Sequence, residues 1–144
     1  MLISTKGRYA LRFLLDLAMH SEGKPVRVKD VSIRQEISDK YLEQVVATLT
    51  KAGFVRSIRG PQGGYLLSHD PSWYTMGKIL RLTEGTLAPV ACLETEENLC
   101  PRAENCVTLL FWKKMKDAID ETAEGTTLAD LVMWQRQRGC RIND

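Results

Sequence analysis

The sequence predicts a mainly α-helical fold with a small β-hairpin: a winged helix-turn-helix head followed by a long C-terminal dimerisation helix. Three observations carry this expectation. Three segments with apolar residues at helical spacing lie between Gly7 and Gly53. Two short β-prone runs then flank the glycine-rich stretch Gly60-Pro61-Gln62-Gly63-Gly64. A long amphipathic segment, Thr108 to Ala123, lies beyond that head.

The first helix is expected over Gly7 to His20, with Ala10, Leu11, Leu14, Leu15 and Ala18 on its inner face. Ser21-Glu22-Gly23-Lys24-Pro25 stops it, because Gly breaks the helix and Pro fixes the turn. Val28 to Glu36 reads as a short second helix with Val31 inward. A turn at Ile37 to Lys40 leads into the third helix. There Ser38 can accept from the free amides of the first turn, and Asp39 suits the positive dipole end. Leu42, Val45, Val46 and Leu49 form its apolar stripe, and Gly53 ends it.

Phe54 to Arg59 and Gly64 to Ser68 are the β-prone runs; the glycines between them permit the positive φ values of a hairpin tip. Thr75 to Thr83 reads as a helix closed by Gly85. In the long helix, Phe111, Trp112, Met115, Ala118, Ile119 and Thr122 share one stripe. Such a stripe beyond a compact head is expected to pair with its own copy in a homodimer; packing within one chain is the alternative. A last helix is expected over Leu128 to Gln137, with Gly139 to Asp144 as a polar tail. Residues 1–70 are expected to form the head, and residues 71–144 the loop at 85–107 and the dimerisation helices.

The chain has 144 residues, is 44% hydrophobic and 26% charged, and fits one small domain with an appendage. No apolar run is long enough to cross a membrane. The N-terminus has no secretory-signal pattern, so a cytoplasmic location is expected. In that compartment four cysteines suit ligands or redox thiols better than structural disulfides. The net charge of +2 is uneven. Residues 1–70 hold 11 Lys and Arg against 7 Asp and Glu, whereas residues 71–144 hold 9 against 11. A mildly basic first half suits a polyanion.

In a helix-turn-helix the second helix of the motif enters the major groove while its inner stripe holds the core. The outward candidates here are Ser38, Lys40, Tyr41, Glu43, Gln44, Thr48 and Lys51. Gln44 can pair with a base edge, and Glu43 can accept from a cytosine amino group. Lys40 and Lys51 suit phosphates, which set register rather than sequence. Arg56, Arg59 and Gln62 in the hairpin can reach flanking backbone or minor groove. The alternative is a solvated polar helix face beside a hairpin. The order helix, turn, helix, hairpin favours double-stranded DNA, read by a dimer as a palindromic operator.

The other constellation is Cys92, Cys100 and Cys106 in one loop, with gaps of 7 and 5 residues. Thiolates favour soft centres: zinc, copper(I) or iron–sulfur clusters. These gaps are wider than those of the knuckles that hold structural zinc. Reduced thiols without metal, zinc, and a thiol–disulfide switch remain alternatives. Cys140 reads as a free tail thiol, and the lone His20 and His69 as head residues.

Several of these runs resemble the Rrf2 family of bacterial transcription regulators. They are Ile3-Ser4-Thr5-Lys6-Gly7-Arg8-Tyr9-Ala10-Leu11-Arg12, Tyr41-Leu42-Glu43-Gln44, Lys51-Ala52-Gly53-Phe54-Val55 and Arg59-Gly60-Pro61-Gln62-Gly63-Gly64-Tyr65-Leu66-Leu67. The resemblance implies a dimeric winged-helix repressor or activator whose long C-terminal helix crosses to the partner. It implies DNA contacts along Lys40 to Lys51 and at Arg59. The cysteine loop resembles the family's cluster-binding branch, which implies a [2Fe-2S] or [4Fe-4S] iron–sulfur cluster on Cys92, Cys100 and Cys106 and a response to iron, nitric oxide or redox state. Some members of that branch add a His after the third Cys; here Val107-Thr108-Leu109-Leu110 follows. Others borrow an acidic side chain near the partner's N-terminus, where this chain has Arg8 and Arg12. Glu94, Glu96, Glu97, Glu104, Cys140, a small thiol or water are the candidates left for the fourth ligand. Other Rrf2 relatives work without a cluster, through thiol oxidation or a partner protein.

An enzyme is disfavoured. The glycines at 60 to 64 sit in a hairpin tip and do not open a helix, so they form no phosphate loop, and no acid–base pair stands out.

Overall fold

A computed structural model of the chain describes residues 2–142, the side chains of 140–142 excepted. It is built of six helices and one hairpin. Helix α1, Thr5–His20, starts two residues before the sequence expectation because Ser4 caps it, accepting from the Gly7 N–H at 3.2 Å. Helix α2, Val28–Gln35, stops one residue early: Glu36 turns left-handed at φ 55°. Helix α3, Asp39–Lys51, begins where expected, with Ser38 Oγ accepting from the Tyr41 N–H at 3.3 Å. Strands β1, Val55–Ile58, and β2, Gly64–Leu67, pair antiparallel with Val55 opposite Leu67 and Ile58 opposite Gly64. Gly60 takes φ 115° at the tip, a conformation that L side chains rarely adopt.

After a 3-10 turn at Pro71–Trp73, helix α4 spans Met76–Glu84, capped by Thr75 and closed by Gly85. Helix α5 spans Thr108–Gly125. Helix α6 spans Leu128–Ile142, and Thr127 and Asp130 cap its start reciprocally. The expected polar tail from Gly139 is therefore helical as far as Ile142; one internal glycine costs only about 1 kcal/mol, too little to stop a docked helix. The side chain of Cys140 and residues 143–144 lie outside the described residues.

One core joins these elements. Ala10, Phe13, Leu14 and Leu17 of α1 pack with Val31, with Leu42, Val45, Val46 and Leu49 of α3, and with Tyr74, Ile79 and Leu128. The inner face of α1 is thus turned from the expected one. Its centre runs through Phe13, Leu14 and Leu17, while Leu11, Leu15 and Ala18 flank it half-buried. The reason is that α1 is central: α2, α3, α4, α6 and β2 all pack on it, so its apolar face is wide. No described helix is long and apolar enough to cross a membrane.

Tyr74 is the hub beneath the hairpin. Its hydroxyl donates to the Phe54 carbonyl at 2.5 Å and accepts from the Ser68 and His69 amides at 3.1 and 3.2 Å. Two backbone bonds then join the starts of α4 and α6: the Met76 N–H donates to the Thr126 carbonyl, and the Leu128 N–H to that of Tyr74.

Candidate DNA-reading face and cysteine loop

The inner stripe of α3 leaves one polar face outside. Ser38, Lys40, Glu43, Gln44 and Lys51 are all exposed along it, on a helix held rigidly by four buried apolar residues. Tyr41 differs from the expectation of an outward residue. It is half-buried and packs edge-on against Tyr9, with ring centroids 5.3 Å apart. Thr48 is also half-buried, its hydroxyl turned back to the Gln44 carbonyl. Arg12 lies over the Tyr9 ring and donates to both the side-chain oxygen and the carbonyl of Gln35.

The packing of α2 against α1 is held by a group that sequence reasoning missed. Asp16, the one buried charged residue described, faces inward from α1. It accepts from Arg34 Nη2 at 2.7 Å, from Arg34 Nε at 3.1 Å and from Gln35 Nε2 at 3.0 Å. The hydrogen bond to Asp16 holds the Arg34 guanidinium above its ordinary pKa. An acid between Leu15 and Leu17, in step with Phe13, is the sequence signal that could have found it.

In the hairpin, Arg59 and Gln62 are exposed at the tip. Arg56 sits elsewhere, at the base, lining a hollow with Ala18, His69 and Pro71. Sequence reasoning also missed Arg27, whose Nη2 donates to the tip carbonyl of Pro61 at 2.7 Å.

The loop from Gly85 to Val107 is not featureless. Leu87 and Leu93 are buried, and 3-10 turns form at Ala91–Leu93 and Ala103–Asn105. Cys92 is half-buried in the first turn, Cys100 is exposed, and Cys106 is half-buried just before α5; none is in a disulfide. The loop starts from a fixed point: Glu84, the last residue of α4, accepts at Oε1 from Ser4 Oγ at 2.6 Å and from the Ser4 amide at 3.2 Å. A Cβ on Gly7 would collide with that same carboxylate oxygen.

For a soft metal centre the donor chemistry is suitable. Three unpaired thiols share one loop, and Cys106 leans towards thiolate. The Thr108 hydroxyl at 3.2 Å pulls its pKa below the ordinary thiol value, and the Leu109 amide and the Arg102 charge add to this. The buried Nδ2 of Asn98 has no hydrogen-bond partner, so the loop holds one unspent donor of the kind that tunes metal-bound sulfur. The arrangement itself is open: among the described residues no three His, Cys, Asp or Glu side chains converge as a ligand set.

Helix α5 buries only Leu109 and Ala123 fully. Leu110, Phe111 and Met115 are exposed. An apolar groove of about 660 Å³ runs between α4, α5 and α6, walled by Met76, Leu80, Met115, Ile119, Leu131 and Trp134.

The chain as a whole has known relatives. The sequence model of the Rrf2 family, described as an iron-dependent transcriptional regulator, matches residues 3–133. The chain is 42% identical over 135 residues to the HTH-type transcriptional regulator CymR of Bacillus subtilis, a match that covers 93% of this chain and 91% of CymR. It is 39% identical over 132 residues to the HTH-type transcriptional regulator IscR of Yersinia enterocolitica, over 92% of this chain and 79% of IscR. The solved structure of B. subtilis CymR, described as the global cysteine regulator, superposes with a TM-score of 0.78 at 40% identity, covering 93% of this chain and 98% of that one. With a winged helix-turn-helix head and a family match across nearly its whole length, the chain belongs to the Rrf2 family of DNA-binding transcription regulators.

Proposed function

We propose that the chain is a homodimeric regulator that reads a palindromic operator with α3 and the wing, and that senses iron, nitric oxide or redox state through an iron–sulfur cluster on Cys92, Cys100 and Cys106. The observation that carries the sensing half is the position of the thiols. They lie on the segment that runs from the end of α4, where Glu84 is bonded to Ser4 at the start of α1, to the apolar face of α5. A change in that segment bears on both heads of a dimer, and half-site spacing makes small rotations count. When bound, a cluster supplies a redox- and ligand-sensitive iron centre. The protein's own part is to present three thiols, to lower the thiol pKa at Cys106, and to tie the end of α4, where the loop begins, to the N-terminus of α1.

On the DNA side, Gln44 and Glu43 are the base readers, and Lys40 and Lys51 the phosphate contacts. Ser38 orders the start of the helix and Tyr41 steadies it against Tyr9. Arg59 and Gln62 reach from the wing tip, and Arg56 from its base. The apolar groove beside α5 supports dimerisation, since a second copy of the long helix has the length and stripe to fill it.

The test is anaerobic purification with iron, sulfide and zinc assayed against protein, for wild type and Cys100→Ala. Iron with sulfide in wild type alone establishes the cluster. Zinc alone, or no metal, rejects it. In that case thiol oxidation becomes the reading to follow, favoured by the open arrangement of the thiols and the lowered pKa of Cys106. Cysteine-to-serine variants that keep full regulation would in turn reject thiol chemistry altogether and point to a protein partner.

A further inference from the structure

The wing tip is held to the head by one side chain. Val26, in the turn before α2, pairs with Tyr65 of β2: the Val26 N–H donates to the Tyr65 carbonyl at 3.0 Å, and the Tyr65 N–H returns to that of Val26 at 2.8 Å. The approach is close enough that a Cβ on Gly64 would lie 2.5 Å from the Val26 carbonyl oxygen. This bridge anchors the tip-side end of β2 but stops short of the tip itself. Arg27, the next residue and the N-cap of α2, continues it by donating from Nη2 to the Pro61 carbonyl at 2.7 Å. Among the described residues no other side chain hydrogen-bonds the tip. The captured oxygen belongs to the peptide unit that leads directly into Gln62, and Arg59 lies two residues before Pro61.

We propose that Arg27 is a positioning residue for DNA recognition, which sets the reach of Arg59 and Gln62 by clamping the wing tip to the N-terminus of α2. The inference rests on the wing contacts proposed above. The physical reason is the stiffness each part has alone. A five-residue tip with Gly60 at φ 115° has few internal restraints, chiefly the Gly63 amide on the Gly60 carbonyl at 3.0 Å. The guanidinium is planar and its donors are pre-organised, so little side-chain freedom is lost when it holds the Pro61 carbonyl. Because α2 is locked to α1 by Asp16, the clamp refers the wing to the same frame that holds α3. An exposed Arg at this place has a rival role, a direct phosphate contact, and the experiment must separate the two.

The probe is a duplex operator selected by the wild-type dimer from random-sequence DNA, with an unselected duplex of equal length as control. Affinity is measured against salt for Arg27→Ala, Arg59→Ala, Gln62→Ala and the combined variants. Clamping predicts that Arg27→Ala weakens binding to the selected duplex by roughly tenfold, and that almost all of this disappears in the Arg59→Ala/Gln62→Ala background, because a positioning residue has nothing left to position. It also predicts faster amide exchange at Gly63 in DNA-free Arg27→Ala, with an unchanged thermal midpoint. A loss that persists undiminished in the combined background, with a salt slope lower by about one, makes Arg27 a phosphate contact and overturns the proposal. Unchanged affinity for Arg27→Ala, where Arg59→Ala is weakened, overturns it as well. Should Arg59→Ala/Gln62→Ala also bind like wild type, the wing reading itself fails, and the clamp with it.

Discussion

Arg34 and Asp16 form the bond that sets the angle between the first two helices: the guanidinium Nη2 lies 2.7 Å from Oδ1 of a carboxylate with no solvent exposure. The partners are unequal, because the Arg34 side chain remains 34% exposed. Removing Asp16 lets Arg34 turn to water. Removing Arg34 leaves a buried carboxylate with only Gln35 as a firm donor, since His20 Nδ1 stands 3.6 Å away. Arg34→Met should therefore cost about 3 kcal/mol of stability and Asp16→Asn about half of that. Urea unfolding at one fixed protein concentration measures both. Equal losses would mean that the charge on Asp16 is not the expensive part.

Tyr74 gives a prediction with a definite sign in pH. Burial pushes its hydroxyl pKa up, against two amides that favour the charged form. A folded-state pKa above the unfolded one stabilises fully below the unfolded value of about 10, and that contribution is lost as pH rises through the folded value. Wild type should lose more stability than Tyr74→Phe between about pH 9 and about pH 11. At neutral pH the same variant should cost about 2 kcal/mol, because the Ser68 and His69 amides and the Phe54 carbonyl lose their partner. Unfolding curves at the two pH values check both statements.

The contrast between Tyr74 and α3 shows what was legible. The α3 stripe, its Ser38 cap and the Gly60 turn are local signals, since each follows from spacing or from a residue's own backbone preference, and the structure repeats them. Tyr74 and Arg27 act across distance. Tyr74 sits in a linker with no periodicity, and its partners are 5 to 20 residues away. Arg27 bonds a carbonyl 34 residues on. The rotation of the α1 face is missed for the same reason: spacing shows that a face is buried, but the number of elements packed on it decides where its centre lies. The thiol loop was legible as chemistry, and its arrangement was not, because neither spacing nor composition fixes an irregular loop.

Asp120 carries the acid side of the pH dependence. Lys116 Nζ at 2.6 Å lowers its pKa, and Arg81 Nη2 at 2.9 Å from α4 adds to this. A folded-state pKa below the unfolded value of about 3.9 stabilises above that value, and the contribution is lost as pH falls through the folded one. All three side chains are about one-third exposed, so solvent screening keeps the contribution under about 1 kcal/mol. Asp120→Asn should flatten the loss of stability in acid, and added salt should shrink the difference between variant and wild type. A difference that salt leaves untouched would mean that packing, not charge, joins α4 to α5.

The groove beside α5 makes oligomeric state and DNA affinity one experiment. Ile119 and Met115 wall the groove but stand outside the main core, so a charge there leaves the head intact. Ile119→Glu should give a folded monomer by light scattering, because a carboxylate in an apolar seam has no partner to offset its desolvation. A single head retains its own contacts but loses the linkage between two half-sites. Affinity for a palindromic duplex should then fall on the order of 100-fold, while affinity for an isolated half-site stays unchanged. A variant that stays dimeric moves the interface away from this groove. A monomer that binds the palindrome as tightly as wild type rejects two-headed reading and leaves only the proposed contacts of a single head.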